Sequence, residues 1–407
     1  MEEKALLQEA AAVGGRLLAY CRANDWAGHD PYDALNSPLF STFPRLQARI
    51  PRLALTQLLK RSPIDLRGFL RIPKTQNPKA IALFLSAIVK DPGLGAPDAA
   101  DLAAFFVEKL AALRSTGTPY WCWGYSFPWQ TRTTVVPRGA PNLVCTTFAA
   151  NALLDAHERR PENRCLEMAC SAAEYILNEL FWTHGSEVAS FSYPLPTTHH
   201  PIHNANFLAA ALLCRVYKHT GQEKFLEPAL YAARYSAAKQ AADGSWAYGE
   251  AQTNQWIDNF HTGYNLGALR SISEYLGTTE FDKAIRRGFH FYRNHFFRAD
   301  GAARYFHHRT HPIDIHCTAQ SIITLLQFKD LDPGNVPLAY SVLRWAIRNM
   351  WNDRGFFYYR SLRSCTIRIP YMRWSEAWML LAIATLLHDS GVAPKAVEPY
   401  ATAASGK

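Results

Sequence analysis

Three observations along this chain predict an all-α fold, a closed (α/α)6 toroid of six helical hairpins with short β pieces only in rim loops. Amphipathic and almost wholly apolar helical segments alternate from end to end. Turns headed by Asp243, Asp300 and Asp353 recur at spacings of about 57 and about 53 residues, each followed by aromatics and a new apolar helix. The last apolar segment (374–388) is as apolar as the middle ones, whereas an open array would end in a polar-faced cap. That third observation chooses a ring over an open solenoid.

The elements follow in order. The first amphipathic segment covers 3–23. Residues 25–75 then break the alternation with a Pro-rich, basic stretch containing one helix candidate near 47–60. A segment this long inside a compact repeat fold is expected to be functional, here as an insertion covering one mouth of the ring. After it, apolar and amphipathic segments pair as 78–90 with 99–115, 142–156 with 163–181, 204–218 with 223–240, 259–276 with 279–297, and 314–328 with 336–350. Segment 374–388 closes the series. In FDKAIRRGFHFYRNHFF (281–297), Phe281, Ile285, Phe289 and Tyr292 share one stripe, and Lys283, Arg286, Arg287 and Arg293 lie off it. Such a helix shows one face to water, and a helix apolar on every side is buried on every side. The apolar set is therefore the inner ring, with starts near Asn77, Asn142, Asn204, Asn259, Asp314 and Trp374. Strand-like signals are limited to short aromatic pieces such as SWAY and GFFYY, placed at the rim. Residues 1–392 are expected to form a single domain, and 393–407, rich in Ala, Pro and Ser, a flexible tail.

Composition narrows the function. The chain has 407 residues, 48% hydrophobic and 19% charged, with a formal net charge of +9. Its basic residues are spread along the sequence rather than gathered in one run, which suits an anionic small molecule or acidic polysaccharide better than nucleic acid. Eight cysteines without a CxxC pair, most of them in apolar helical runs, read as reduced. The acidic N-terminus lacks a signal-type apolar stretch, and no run reaches the roughly 18–20 apolar residues of a spanning helix. A cytoplasmic protein is expected.

Chemistry should collect where the inner helices begin. Overlaying P-I-H-N-A-N, W-I-D-N-F-H and P-I-D-I-H equates His203, Asp258 and Asp314, and one turn later Asn206, His261 and Cys317. Asp258, Glu376, Asp314, His261 and His316 are the candidate catalytic residues. His203, Asn206, Tyr248, Glu250, Arg373, Trp374 and Tyr125 are the candidate substrate contacts. Carboxylates, imidazoles, a guanidinium and aromatic faces at one pole suit a carbohydrate. The competing reading makes Asp258 and Asp314 ordinary helix caps. The histidine spacings match no zinc pattern, and no GxGxxG, P-loop or GxSxG motif occurs, so neither metal nor cofactor is expected.

KQAADGSW (239–246) is similar to the QxxxGxW repeat of the terpene cyclases, but their DxDD and DDxxD signals are missing, so this likeness supports architecture alone. WIDNFHTGYNLGALRSI (256–272), with SFSYPLPTTHHPIHNANFLAAALL (190–213), LNSPLF (35–40) and the stretch from RSPIDLR to NPKAIALFL (61–85), resembles the six-hairpin glycosidase superfamily, in particular members associated with bacterial exopolysaccharide biosynthesis. The resemblance covers about 75–390 and implies the toroid and a polysaccharide context. It brings no transferable catalytic set. The expected function is glycoside hydrolase-like, using paired carboxylates. The alternatives are a uronate lyase or sugar epimerase using His, Tyr and Arg, and a non-catalytic glycan-binding or assembly protein. The expected partners are an oligo- or polysaccharide and the membrane-associated polysaccharide machinery.

Overall fold

The computed structural model describes residues 2–95, 97–131 and 134–391. Among them, twelve long helices form two concentric rings. The outer helices are α1 (Glu2–Ala23), α3 (Ala99–Ala112), α5 (Asn163–Tyr175), α7 (Leu226–Ala238), α9 (Asp282–His295) and α11 (Asn335–Met350). The inner helices are α2 (Pro78–Lys90), α4 (Leu143–Arg159), α6 (His203–Thr220), α8 (Asn259–Leu276), α10 (Ile315–Gln327) and α12 (Ala377–Ser390). Each inner helix packs on the next, and α12 packs back on α2, so the ring closes. Each outer helix covers the inner helix of its own hairpin, with α1 covering α12.

Burial follows the sequence pattern. Nearly every residue of α2 is buried, whereas α9 buries Ile285, Phe289 and Tyr292 and turns its arginines outward. Helix starts are fixed by side-chain caps: Asn77 accepts from the Lys79 N–H, Asn142 from Cys145, Asp258 from His261 and Asp314 from His316. Helices α6, α8 and α12 end at Gly221, Gly277 and Gly391, each with φ near +60°, where a Cβ would be strained. Helix α12 departs from its expected start at Trp374, because one wide π turn (Met372–Glu376) precedes it. Strands are short, in pairs such as Phe181–His184 with Val188–Phe191 and in one three-stranded sheet of Ile313–Asp314, Arg360–Ser361 and Thr366–Ile367. Phe356–Phe357 of GFFYY pairs with Trp351–Asn352, whereas SWAY contains no strand.

Residues 25–75 carry one long helix, Arg49–Arg61, over a small core of Ala34, Leu59 and Ile72. Buried Arg67 ties this segment together, donating to the Asp33 carboxylate (2.8 Å) and the Asp30 carbonyl (2.9 Å). No helix among the described residues is long and apolar enough to cross a membrane. The flexible tail expected at 393–407 lies outside the described residues.

Candidate functional site

Asp258 caps α8 with one oxygen and holds His261 with the other. Oδ1 accepts from the His261 backbone N–H (3.0 Å), and Oδ2 accepts from the imidazole Nδ1 (2.7 Å) and from the Trp256 indole (3.0 Å). Nδ1 therefore carries the proton, and Nε2 presents its lone pair. Nε2 takes no hydrogen bond from the described residues, and the ring is one-fifth exposed, over a carboxylate that is almost completely buried. Tyr248 leans on the imidazole at 4.6 Å and stacks on Trp256 at 4.4 Å. Capping and chemistry are thus compatible at Asp258, since both oxygens are used.

Asp314 is engaged differently. Its Oδ1 accepts from the His316 N–H (3.0 Å) and the Trp374 indole (2.8 Å), and its Oδ2 from two nitrogens of Arg360 (2.8 and 2.5 Å). It has no exposure, and both of its oxygens are engaged by these donors. His316 lies between Phe260 and Trp378, each stacked at 4.5 Å, and its Nε2 meets the Tyr264 hydroxyl at 2.7 Å. Burial, with Lys79, Arg373 and His261 nearby, holds its pKa well below the usual histidine range. His316 Nδ1 is buried without a partner.

Arg373 forms a bidentate pair with Asp30 of the 25–75 segment (2.6 and 2.8 Å) and lies over the Tyr125 ring at 4.9 Å. The Tyr125 hydroxyl engages that of Tyr193. Below them, the Lys79 ammonium sits among the rings of Phe148, Trp378 and Tyr264 at 4.0, 5.3 and 5.5 Å. Burial, then Arg373, draws its pKa well below the usual lysine range. Tyr32, 5.5 Å from Trp374, and Tyr305, 6.0 Å from Phe260, complete an aromatic wall. Asp30, Tyr32, Lys79, Tyr264 and Tyr305 were absent from the sequence-derived set. The N-cap register finds Lys79: the second residue after four of the six inner-helix caps (Lys79, Phe260, His316 and Arg373) belongs to this cluster.

The structure brings Asp258, His261, Asp314, His316, Tyr248, Tyr125, Arg373 and Trp374 into one cluster and leaves four candidates outside it. His203 and Asn206 face α7 through Ser236 (3.2 and 2.9 Å). Asn206 Oδ1 is also spent on Ser190 and the Phe191 N–H, which ties the hairpin to α6. The overlay slips here by one residue: Ile202 is the N-cap, so His203 is rotated by about 100° from Asp258 and Asp314. Burial also pushes the His203 pKa down to about 4. Glu250 bonds Tyr235 of α7. Glu376 turns toward α1 and the 351–357 hairpin, where Oε2 accepts from the Phe357 N–H (2.9 Å) and Oε1 has no partner.

Glu376 therefore faces away from Asp258. Burial raises its carboxyl well above the usual range, so the folded state keeps a proton that the unfolded chain loses above about pH 4.5. Its contribution to stability is present below that pH and is lost as pH rises through the folded pKa. Glu376→Gln should accordingly be more stable than the parent at pH 8, with an advantage that shrinks toward pH 4.5. Denaturation midpoints against pH check this, and an advantage independent of pH would contradict it.

No family model matches the sequence, and neither does any curated protein. Solved structures do match. The unsaturated glucuronyl hydrolase of Bacillus sp. GL1 superimposes with a TM-score of 0.62 at 13% identity, over 93% of this chain and 96% of that one. The cellobiose 2-epimerase of Bacillus thermoamylovorans gives 0.60 at 10% identity, over 79% and 90%. A GH76 α-mannanase of Bacteroides thetaiotaomicron gives 0.58 at 12%, over 76% and 86%. All three belong to the six-hairpin glycosidase superfamily, and the fold of this chain is theirs.

Proposed function

We propose that this chain is a carbohydrate-active enzyme whose chemistry is proton transfer at a sugar carbon beside a carbonyl, as in epimerisation, with His261 as acid and base. The observation that carries this reading is the Asp258–His261 pair. A carboxylate fixes the imidazole tautomer and leaves Nε2 open beside aromatic faces. Hydrolysis by two carboxylates is disfavoured because Asp314 is saturated by Arg360 and Trp374, Asp30 is held by Arg373, and Glu376 points away. In the proposed step Nε2 takes the proton from the carbon, and negative charge develops on the neighbouring carbonyl oxygen. Arg373, buried beside Tyr125 and paired with Asp30, is the cation we assign to stabilise it. The planar enediolate then turns about its bond to the rest of the sugar, and the same Nε2–H returns the proton to the other face, which inverts the centre. The fold is shared with sugar epimerases and hydrolases alike, which supports the substrate class without selecting the reaction.

Incubation with reducing mono- and disaccharides in D2O tests the reading. Deuterium should enter at the carbon next to the aldehyde, seen by NMR, and His261→Gln should stop it. New reducing ends without exchange would restore hydrolysis, and a conjugated unsaturated product would indicate a lyase. We also place the protein in exopolysaccharide metabolism, beside membrane-associated machinery, on the sequence resemblance. Eight unpaired cysteines support a reducing, cytoplasmic setting.

A further inference from the structure

The charge excess that looks scattered along the sequence is concentrated in one segment. Between Phe43 and Lys74 there are eight Lys and Arg residues and a single acid, Asp65, in a chain whose net charge is +9. Arg67 is buried, whereas Arg45, Arg49, Arg61, Arg71 and Lys74 are exposed.

The same segment carries every large hydrophobic side chain exposed among the described residues: Phe43, Ile50, Leu58, Ile64 and Phe69. Ile50, Ile64 and Phe69 are 79%, 67% and 86% exposed, values at which the folded protein gains almost nothing from their apolar character. On the helix Arg49–Arg61, Thr56 and Leu59 face the small core beneath. Ile50, Ala54 and Leu58, at i, i+4 and i+8, form an outward stripe with Arg49 and Arg61 at its ends. Ile64 and Phe69 stand on the loop that follows.

We propose that this face docks the protein on an anionic lipid bilayer. Apolar side chains standing among arginines and lysines suit the headgroup boundary, where the former enter the acyl region and the latter meet lipid phosphates. A second copy would set one basic surface against another, which disfavours self-association. Asp30 and Tyr32, just before this stretch in the same 25–75 segment, reach the functional site, so docking would hold that site close to the bilayer.

Sedimentation of the full chain with vesicles tests this. Binding to phosphatidylcholine–phosphatidylglycerol vesicles is expected, with little to phosphatidylcholine alone and release at high salt. Phe69→Ser with Ile50→Ser should weaken binding by about tenfold or more. Arg49→Glu with Arg61→Glu should remove its salt-sensitive part. All four residues are exposed, so the fold and any turnover of free sugars in solution should be unchanged. Failure to sediment, or equal binding to neutral vesicles, would overturn the proposal. So would a dimer in light scattering that Phe69→Ser dissociates, or a protein partner that the same variant releases.

Discussion

His261→Gln should lower turnover by about 10²–10⁴-fold, the range that a positioned acid–base group supplies, while the unfolding midpoint stays close to the parent's. Among the described residues its side-chain hydrogen bond goes to Asp258, and Gln keeps enough bulk to fill most of the space between Tyr248 and Phe260. Asp258→Asn is the informative companion. It keeps a cap oxygen for the His261 N–H but removes the charge that fixes Nδ1–H, so imidazole orientation is no longer enforced. Stability should fall by about 0.5–2 kcal/mol at most, and the loss of activity should appear in kcat rather than KM. If His261→Gln retains full turnover and Asp258→Asn costs only stability, the pair is a capped helix start and nothing more.

Much of this arrangement was legible from sequence. Period and apolarity separate the two rings, because a helix packed between two inner neighbours and an outer helix has little face left for water, and α2 and α12 read that way without ambiguity. Helix starts were legible to within a residue or two through Asn77, Asn142, Asp258 and Asp314. Direction was not. A slip of one residue turns a side chain by about 100°, and His203 and Asn206 face Ser236 rather than the cluster for that reason. Glu376 faces away for a related reason: the π turn before α12 places it five residues after the N-cap Tyr371, rather than at the helix start. Asp30 and Tyr32 come from the segment where periodicity is broken, and no local pattern marks a carboxylate that pairs with Arg373 across 343 positions.

Asp314→Ala should be the most destabilising single change in the cluster, at about 3–5 kcal/mol, the usual cost of stripping one partner from a buried ion pair. Arg360 would keep its charge in a buried site with no carboxylate, the Trp374 indole would lose its acceptor, and the start of α10 would lose its cap. The cost belongs to the orphaned cation more than to the pair itself, so a double variant separates the two. Asp314→Leu with Arg360→Met removes both charges and should recover much of the loss, leaving mainly the missing cap and the unpaired indole. Denaturant midpoints for both single variants and the double variant give the coupling, which should be well above 1 kcal/mol. If Asp314→Asn leaves stability intact and abolishes turnover, Asp314 acts on substrate and the two-carboxylate mechanism returns. If the double variant stays folded and His261-dependent exchange persists, Asp314 serves only to hold Trp374 and His316 in place beneath the site.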